Sequence, residues 1–373
     1  MLAPRAIIRD PPTQPTEMKT LTMVRGNGRG ALAELERLEA RDEAPRASLY
    51  EKQLNSDMID RLDVERVPGT RGFVLRRLPH GLALALVAFQ RRRRYDAVVS
   101  WAEAFGLSFA GLLKTTGACV PHVALFSWIS VPKKAAVLRR VHSHIHRLVL
   151  WSSRQHDFAV QRLGIPVERI VRLHWLVDQK FWRPLGVPSD MACAAGREMR
   201  DYATLLEAIR DWPVPFHIAA NAEPTRRDRW MSDVRAMGPL PPSVSMGPRS
   251  PHELRALYAR SRFVVIPLLP TDTDNGITVM TEAMAMGKPV ICTRVAGQSD
   301  LLEDGVNGLF VPPRDARALR QAIEHLWSRP DECARLGREG RKAIERRHRL
   351  EDFVAGVKGA VEAAIAGVGG PRQ

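Results

Sequence analysis

Short apolar runs alternate with amphipathic stretches along most of this chain. In the first half the runs Leu21–Val24, Ala97–Trp101, His122–Phe126 and Leu148–Trp151 read as buried strands. Apolar residues at three- and four-residue spacing over 31–40, 105–114, 133–142 and 154–163 predict helices beside them. The second half repeats the theme. Strands are predicted at Met191–Ala195, Phe216–Ala220, Arg262–Pro267 and Val290–Thr293, and helices at 202–210, 251–260, 277–286 and 316–327.

Strand–helix alternation implies parallel sheets with helices on both faces. Two such series in 373 residues imply an α/β chain of two doubly wound, Rossmann-like domains. Each has its own core, and both face a central cleft where ligands meet the carboxyl ends of strands. Arg183-Pro184-Leu185-Gly186-Val187-Pro188-Ser189 is rich in Pro and Gly and reads as the hinge. The expected division is a disordered arm at 1–18, a first domain at 19–185, a second at 186–350, and a helix crossing back at 351–373. The first nineteen residues lack a long apolar core and do not read as a secretory signal.

One stretch carries most of the chemistry. Asp274-Asn275-Gly276 follows a strand and opens a short apolar helix bearing Glu282, and Gly287-Lys288-Pro289 then turns the chain into the next strand. A helix N-terminus at the carboxyl end of a strand offers free N–H groups and a positive dipole end. Both favour anionic or polyhydroxyl ligands. Asp274 and Glu282 are eight residues apart, about two helical turns, so both can reach one cleft. A solvated loop acid and a surface Glu fit that spacing equally well. Gly26-Asn27-Gly28-Arg29-Gly30 follows the first strand, where glycine lets backbone N–H groups approach a phosphate or simply turns the chain. It lacks the G-x-G-x-x-G spacing and the acidic strand end of a dinucleotide site. Gly196-Arg197 follows the first strand of the second domain, with Arg200 close behind. A guanidinium binds phosphate through a planar fork, and Asp201 reads as a helix N-cap.

The stretch from Asp274 to Ile291 resembles the donor-binding motif of retaining GT-B glycosyltransferases of family GT4, in which two Glu flank seven residues. The family form is approximately E-G/S-F-G-L-x-x-x-E-A-M-A-x-G-x-P-V-I, and Asp274 stands at the first Glu. Val295-Ala296-Gly297 and Glu303-Asp304-Gly305-Val306-Asn307-Gly308-Leu309 resemble the loop and the D-G-x-N-G-L segment that follow. Asp178 with Phe181-Trp182-Arg183-Pro184 resembles the V-D-x-x-x-F-x-P that ends the family's first domain. Similarity is strong from about 243 to 318, moderate from about 95 to 211, and weak before that.

The resemblance implies a GT-B fold, transfer with retention, and a nucleotide diphospho-sugar as co-substrate without another cofactor or a bound metal. It places Asp274 on the donor sugar, Glu282 on the ribose, and Arg197 on the diphosphate. Arg200 becomes the second phosphate contact, because Tyr202 stands where the family has Lys. Gly26 and Gly28 face the diphosphate, and Arg249 lies beside the nucleobase. Asn275, Gly276, Ile277 and Thr278 form the helix N-terminus that meets the donor. Asp is one methylene shorter than Glu, so a changed reach and donor preference are expected at Asp274. The last helices, from about Asp331, are expected to lie across both domains.

Charge adds a question of partners. The net charge is +15, from forty-seven Arg and nine Lys. Such a surface suits nucleic acid, anionic lipid or a phosphorylated substrate, though scattered Arg explains most of the excess and no nucleic acid is expected. Arg91–Arg94 closes an apolar helix over 81–89. The helix dipole favours that placement, and contact with an anionic membrane is a second reading. Cys119, Cys193, Cys292 and Cys333 are far apart, which argues for a reducing, cytoplasmic setting. No run approaches the roughly 18 apolar residues of a spanning helix. His142, His144 and His146 have no accompanying carboxylate or Cys, so no metal site is expected. Phe126-Ser127-Trp128 occupies the place where many relatives carry a His, leaving the first domain without a catalytic one. The expected activity is sugar transfer to an acceptor hydroxyl, with the acceptor unread. Two readings stay open beside it: another GT-B enzyme, such as an epimerase or phosphorylase, and a non-catalytic basic protein bound to membrane or nucleic acid.

Overall fold

The computed structural model describes residues 18–26, 32–220, 234–298 and 300–369. It contains two six-stranded sheets, parallel in every pairing. The first sheet is built from β1 (Thr20–Met23), β2 (Ser56–Ile59), β3 (Ala97–Trp101), β4 (His122–Leu125), β5 (Arg147–Leu150) and β6 (Ile170–Arg172). Its order is β2-β1-β3-β4-β5-β6. The second uses β7 (Met191–Ala195), β8 (Phe216–Ala219), β9 (Val244–Met246), β10 (Ser261–Ile266), β11 (Val290–Thr293) and β12 (Gly308–Val311). Its order is β12-β11-β10-β7-β8-β9, which is the strand order of a dinucleotide-binding domain.

The eight strands predicted from apolar runs are present to within a residue or so, and the four that were missed are the four sheet edges. Central β1, β4, β7 and β11 are buried at every position. Strands covered on both faces are continuous apolar runs, and these are legible in sequence. β2, β6, β9 and β12 are only partly buried. Ser56-Asp57-Met58-Ile59 therefore carries no such run.

The apolar stretch before the arginine run is the helix His80–Arg91, with Ala83, Leu84, Ala85, Val87 and Ala88 buried. A single 3-10 turn, Arg92–Arg94, ends it. Arg91 Nη1 lies 2.9 Å from Asp63 Oδ1. Among the described residues no helix is long and apolar enough to cross a membrane.

The chain passes between the sheets twice. At the first passage Asp178, 3% exposed, accepts from Arg46 Nη2 at 2.6 Å, and Arg46 Nη1 reaches Glu351 at 2.9 Å. At the second, the amide of Val177 donates to the carbonyl of His348 at 2.8 Å. The helix Pro330–Arg347 lies on the second domain so closely that a Cβ at Gly337 would sit 2.0 Å from the Gly287 carbonyl oxygen. The helix Leu350–Gly369 returns to the first sheet, where Phe353, Val354, Val357 and Val361 share a core with Val123, Leu125 and Val149.

The second sheet runs outward from β7 in both directions. A crevice therefore opens at the carboxyl ends of β7 and β10, where the order reverses.

Candidate active site

The loop after β10 ends at Gly276, which adopts φ 93°. A side chain there would be strained, and its Cβ would lie 2.8 Å from Ile266 Cγ2. The helix Ile277–Ala285 starts at that point and buries Val279, Met280, Ala283, Met284 and Ala285. In its first turn Ile277 N donates to the Asp274 carbonyl at 3.0 Å and Met280 N to the Gly276 carbonyl at 2.9 Å, while Thr278 and Val279 line a cavity. The far end closes on Gly287 (φ 69°), whose amide donates to the Met284 carbonyl at 2.9 Å, while Lys288 N donates to the Ala283 carbonyl at 2.9 Å.

The loop after β7 is braced against this one. Asp201 N donates to the Pro267 carbonyl at 3.0 Å, and Leu269 N to the Met199 carbonyl at 2.9 Å. Asp201 caps the helix Tyr202–Ala208 by accepting from Thr204 N at 3.2 Å. The Tyr202 hydroxyl, on the residue that stands where the resembled family has Lys, donates to the Gly196 carbonyl at 2.6 Å.

Between the two loops lies a cavity of about 480 Å³. Six of the residues singled out in sequence line it: Arg197, Arg200, Arg249, Asn275, Gly276 and Thr278. Arg197 and Arg249 are exposed. Arg200 differs from the open fork that was expected. It is 3% exposed, and its Nε and Nη1 donate to the carbonyls of Ala195 at 2.9 Å and Glu198 at 2.7 Å. Its Nη2 occupies the space above Gly196, 2.1 Å from where a Cβ would be. Arg200 is thus a strut under both loops, with one edge turned toward Gly276.

The remaining residues are dispersed around this cavity. Glu282 lies on the second turn of the helix and accepts from the Tyr258 hydroxyl at 3.2 Å. Desolvation pushes its carboxyl up to about 8, against the small opposing effect of that bond. Asp274 is 8% exposed and, with Ile277, lines a separate small cavity beside Trp151 and His348. Burial raises its carboxyl to about 7, opposed by the hydrogen bond from Thr273 Oγ1 at 3.3 Å. Gly26, from the first domain, packs against Asp60. Its neighbour Arg25 lies 3.8 Å from Glu198 across the cleft. Gly28 lies outside the described residues.

Several site residues had no signal in the sequence. Tyr258 belongs to an ordinary helix face and shows itself only through its partner Glu282. Gln298 Nε2 donates to the Asn275 carbonyl at 2.6 Å. A Cβ at Gly297 would lie 1.9 Å from the Thr273 carbonyl oxygen, which explains the glycine of Val295-Ala296-Gly297. From the first domain, Trp128 Nε1 donates to Asp272 Oδ1 at 2.7 Å, and the Ser127 carbonyl accepts from Thr273 Oγ1 at 3.0 Å. Glu103 holds that first-domain loop by accepting from Ser127 N at 2.8 Å and Trp128 N at 2.6 Å. His122 is fully buried, its Nε2 2.9 Å from Ser100 Oγ, and burial pushes it down to about 3. It links the two neighbouring strands.

Two parallel-sheet domains with helices, closing on one crevice, define the GT-B class of glycosyltransferase folds. The chain superposes on sucrose-phosphate synthase from Thermosynechococcus elongatus with a TM-score of 0.73 at 16% identity, covering 94% of this chain and 100% of that one. With Anabaena HepE, solved in complex with UDP and glucose, the TM-score is 0.68 at 16% identity, covering 92% and 99%. In sequence, residues 199–329 match the family model described as glycosyl transferases group 1. Most of the second domain is thus similar to group 1 glycosyltransferases, in keeping with the motif resemblance. Alpha-D-kanosaminyltransferase from Streptomyces kanamyceticus is 27% identical over 202 residues, 49% of this chain and 52% of that protein. The chain spans about half or less of the curated relatives it matches.

Proposed function

We propose that this protein is a retaining glycosyltransferase, moving a sugar from a nucleotide diphospho-sugar to an acceptor hydroxyl presented from the first-domain side of the cleft. The observation that carries this reading is the convergence of Arg197, Arg249, Asn275, Gly276 and Thr278 on one cavity at the switch point of the second sheet. Glycosidic cleavage throws negative charge onto the departing diphosphate. Exposed guanidinium groups at Arg197 and Arg249 and a helix N-terminus beside that charge would stabilise the transition state electrostatically. Arg200 contributes its positive field from beneath while fixing the loop geometry. In this reading Glu282, bonded to the Tyr258 hydroxyl, holds the ribose hydroxyls, and Asp274 meets the sugar. Retention follows from the motif resemblance and from front-face departure and attack within one ion pair.

UDP-sugars are the first donors to test, given the ligands named for Anabaena HepE. Thermal unfolding with a panel of nucleotide-sugars is the direct experiment. A donor at 100 times its dissociation constant adds about 2.7 kcal/mol to stability. A panel in which no nucleotide-sugar raises the unfolding temperature rejects the proposal. Turnover of donor without any acceptor points instead to an epimerase.

A further inference from the structure

A second large groove opens across the domain boundary, apart from the donor cavity. We infer that it holds the acceptor and that the acceptor is a polyhydroxyl compound carrying an acidic group; this rests on the sugar-transfer reading above. The groove measures about 450 Å³, within the range of small-ligand sites. One wall is the helix Ser153–Gln161. Arg154, Asp157, Phe158, Gln161 and, just past its end, Arg162 all line the groove. Their spacing of i, i+3, i+4, i+7 and i+8 is one face of a helix. The opposite wall is Asp272 and Ala296 of the second domain.

The groove is built in advance. Gln155 is 1% exposed, and its amide is fully engaged. Its Oε1 accepts from Ile129 N at 2.8 Å and Ser130 N at 3.1 Å. Its Nε2 donates to Ser130 Oγ at 3.1 Å and to the Asp272 carbonyl at 3.0 Å. One buried side chain therefore ties the first-domain loop, the helix and the donor-side loop together. Asp272 is two residues from Asp274, so the groove leads onto the segment that opens the donor helix.

The lining sets the ligand chemistry. Serine, glutamine and aspartate offer donors and acceptors for hydroxyl groups. Arg154 and Arg162 are exposed, two turns apart, and a guanidinium fork suits a carboxylate or a phosphate. Asp157 is engaged by His156 Nδ1 at 3.1 Å, which tempers its repulsion of an anion.

The test uses the full chain saturated with UDP. Calorimetry compares a glucuronate-bearing disaccharide, a sugar monophosphate and a neutral disaccharide, on the wild type and on the double variant R154S/R162S. At least one acidic compound should bind about tenfold or more tightly than the neutral one, and which of the two does so identifies carboxylate or phosphate. The double variant should lose that margin and keep its UDP affinity. Equal binding of all three compounds by the wild type, or a margin that survives in the variant, overturns the inference. Absence of UDP binding by the wild type brings down the donor reading instead, which separates the two failures.

Discussion

At the carboxyl edge of the second sheet, the loops after β7 and β10 are joined main chain to main chain, with Arg200 filling the space beneath them. At the facing edge of the first sheet, the loop after β4 reaches across the cleft through Trp128 and the Ser127 carbonyl, and the helix after β5 through Gln155. The loops on the second-domain side are braced chiefly from within their own domain, with Arg25 reaching Glu198 from the first. Those on the first-domain side are held both by their own Glu103 and by contact with the partner domain. Under the proposed function, donor recognition and acceptor recognition are then separable: the first should survive a change in domain closure, and the second should not.

The largest effect is expected at Arg197. Arg197→Ala should lower kcat by about 10²- to 10³-fold with a smaller change in KM, because diphosphate charge is greatest in the transition state. Arg197→Lys should recover only part of this, since an ammonium cannot reproduce the planar fork. Steady-state kinetics decide it: unchanged kcat with raised KM would move Arg197 to ground-state binding. Next comes Glu282→Ala. Loss of its carboxyl group from the ribose, worth about 1.5–3 kcal/mol in total, predicts donor affinity weaker by about ten- to 150-fold in calorimetry. Undiminished affinity would remove the ribose assignment.

Asp274→Asn keeps the side-chain shape and removes the charge. It should cut turnover about tenfold, the worth of one charge-assisted bond, and Asp274→Glu should reorder donor preference. Full activity of the Asn variant with an unchanged donor ranking would make Asp274 a loop cap. The comparison between the two edges is sharpened most by Trp128→Phe, which deletes one hydrogen bond across the cleft. Turnover should fall about two- to tenfold while UDP affinity stays as in the wild type. A matching loss of UDP affinity would show that the donor site is not self-contained.

A separate effect, on stability and not on turnover, is expected against pH. Asp274 and Glu282 have folded values of about 7 and 8, above their ordinary 3.8 and 4.5. The folded state therefore binds more protons than the unfolded state between those limits, and stability falls as pH rises through that window. The slope is at most about 1.4 kcal/mol per pH unit for each group. Buried histidines such as His122 act in the opposite sense below about 6.5. The readout is therefore the difference between the wild type and Glu282→Gln in thermal unfolding. The variant should gain on the wild type from pH 5 to 8, and a constant difference would contradict the burial of Glu282.

Legibility in the sequence followed burial. Central strands such as Met191–Ala195 could be read because both faces are covered, whereas β2 and β9 at the edges could not. The donor loop was legible because its glycines and helix start are imposed by backbone geometry that few residues satisfy. The direction of a side chain was not. Asp274 turns into a small cavity of its own with Trp151, from a segment distant in the chain, and Arg200 is drawn under the loops by the carbonyls of Ala195 and Glu198, which are close in sequence but carry no side-chain signal. The Trp128–Asp272 and Gln155–Asp272 bonds span 144 and 117 residues, and no local pattern announces them.

The returning helix Leu350–Gly369 has a consequence for biosynthesis. Its Phe353, Val354, Val357 and Val361 complete an apolar face of the first sheet, and the ribosome makes them only after the entire second domain. Domains as a rule fold in the order they emerge. Here the second domain can finish first, while the earlier-made one waits with a bare flank until this helix emerges. A message broken before it yields a nascent chain whose exposed flank is a target for chaperones and proteases.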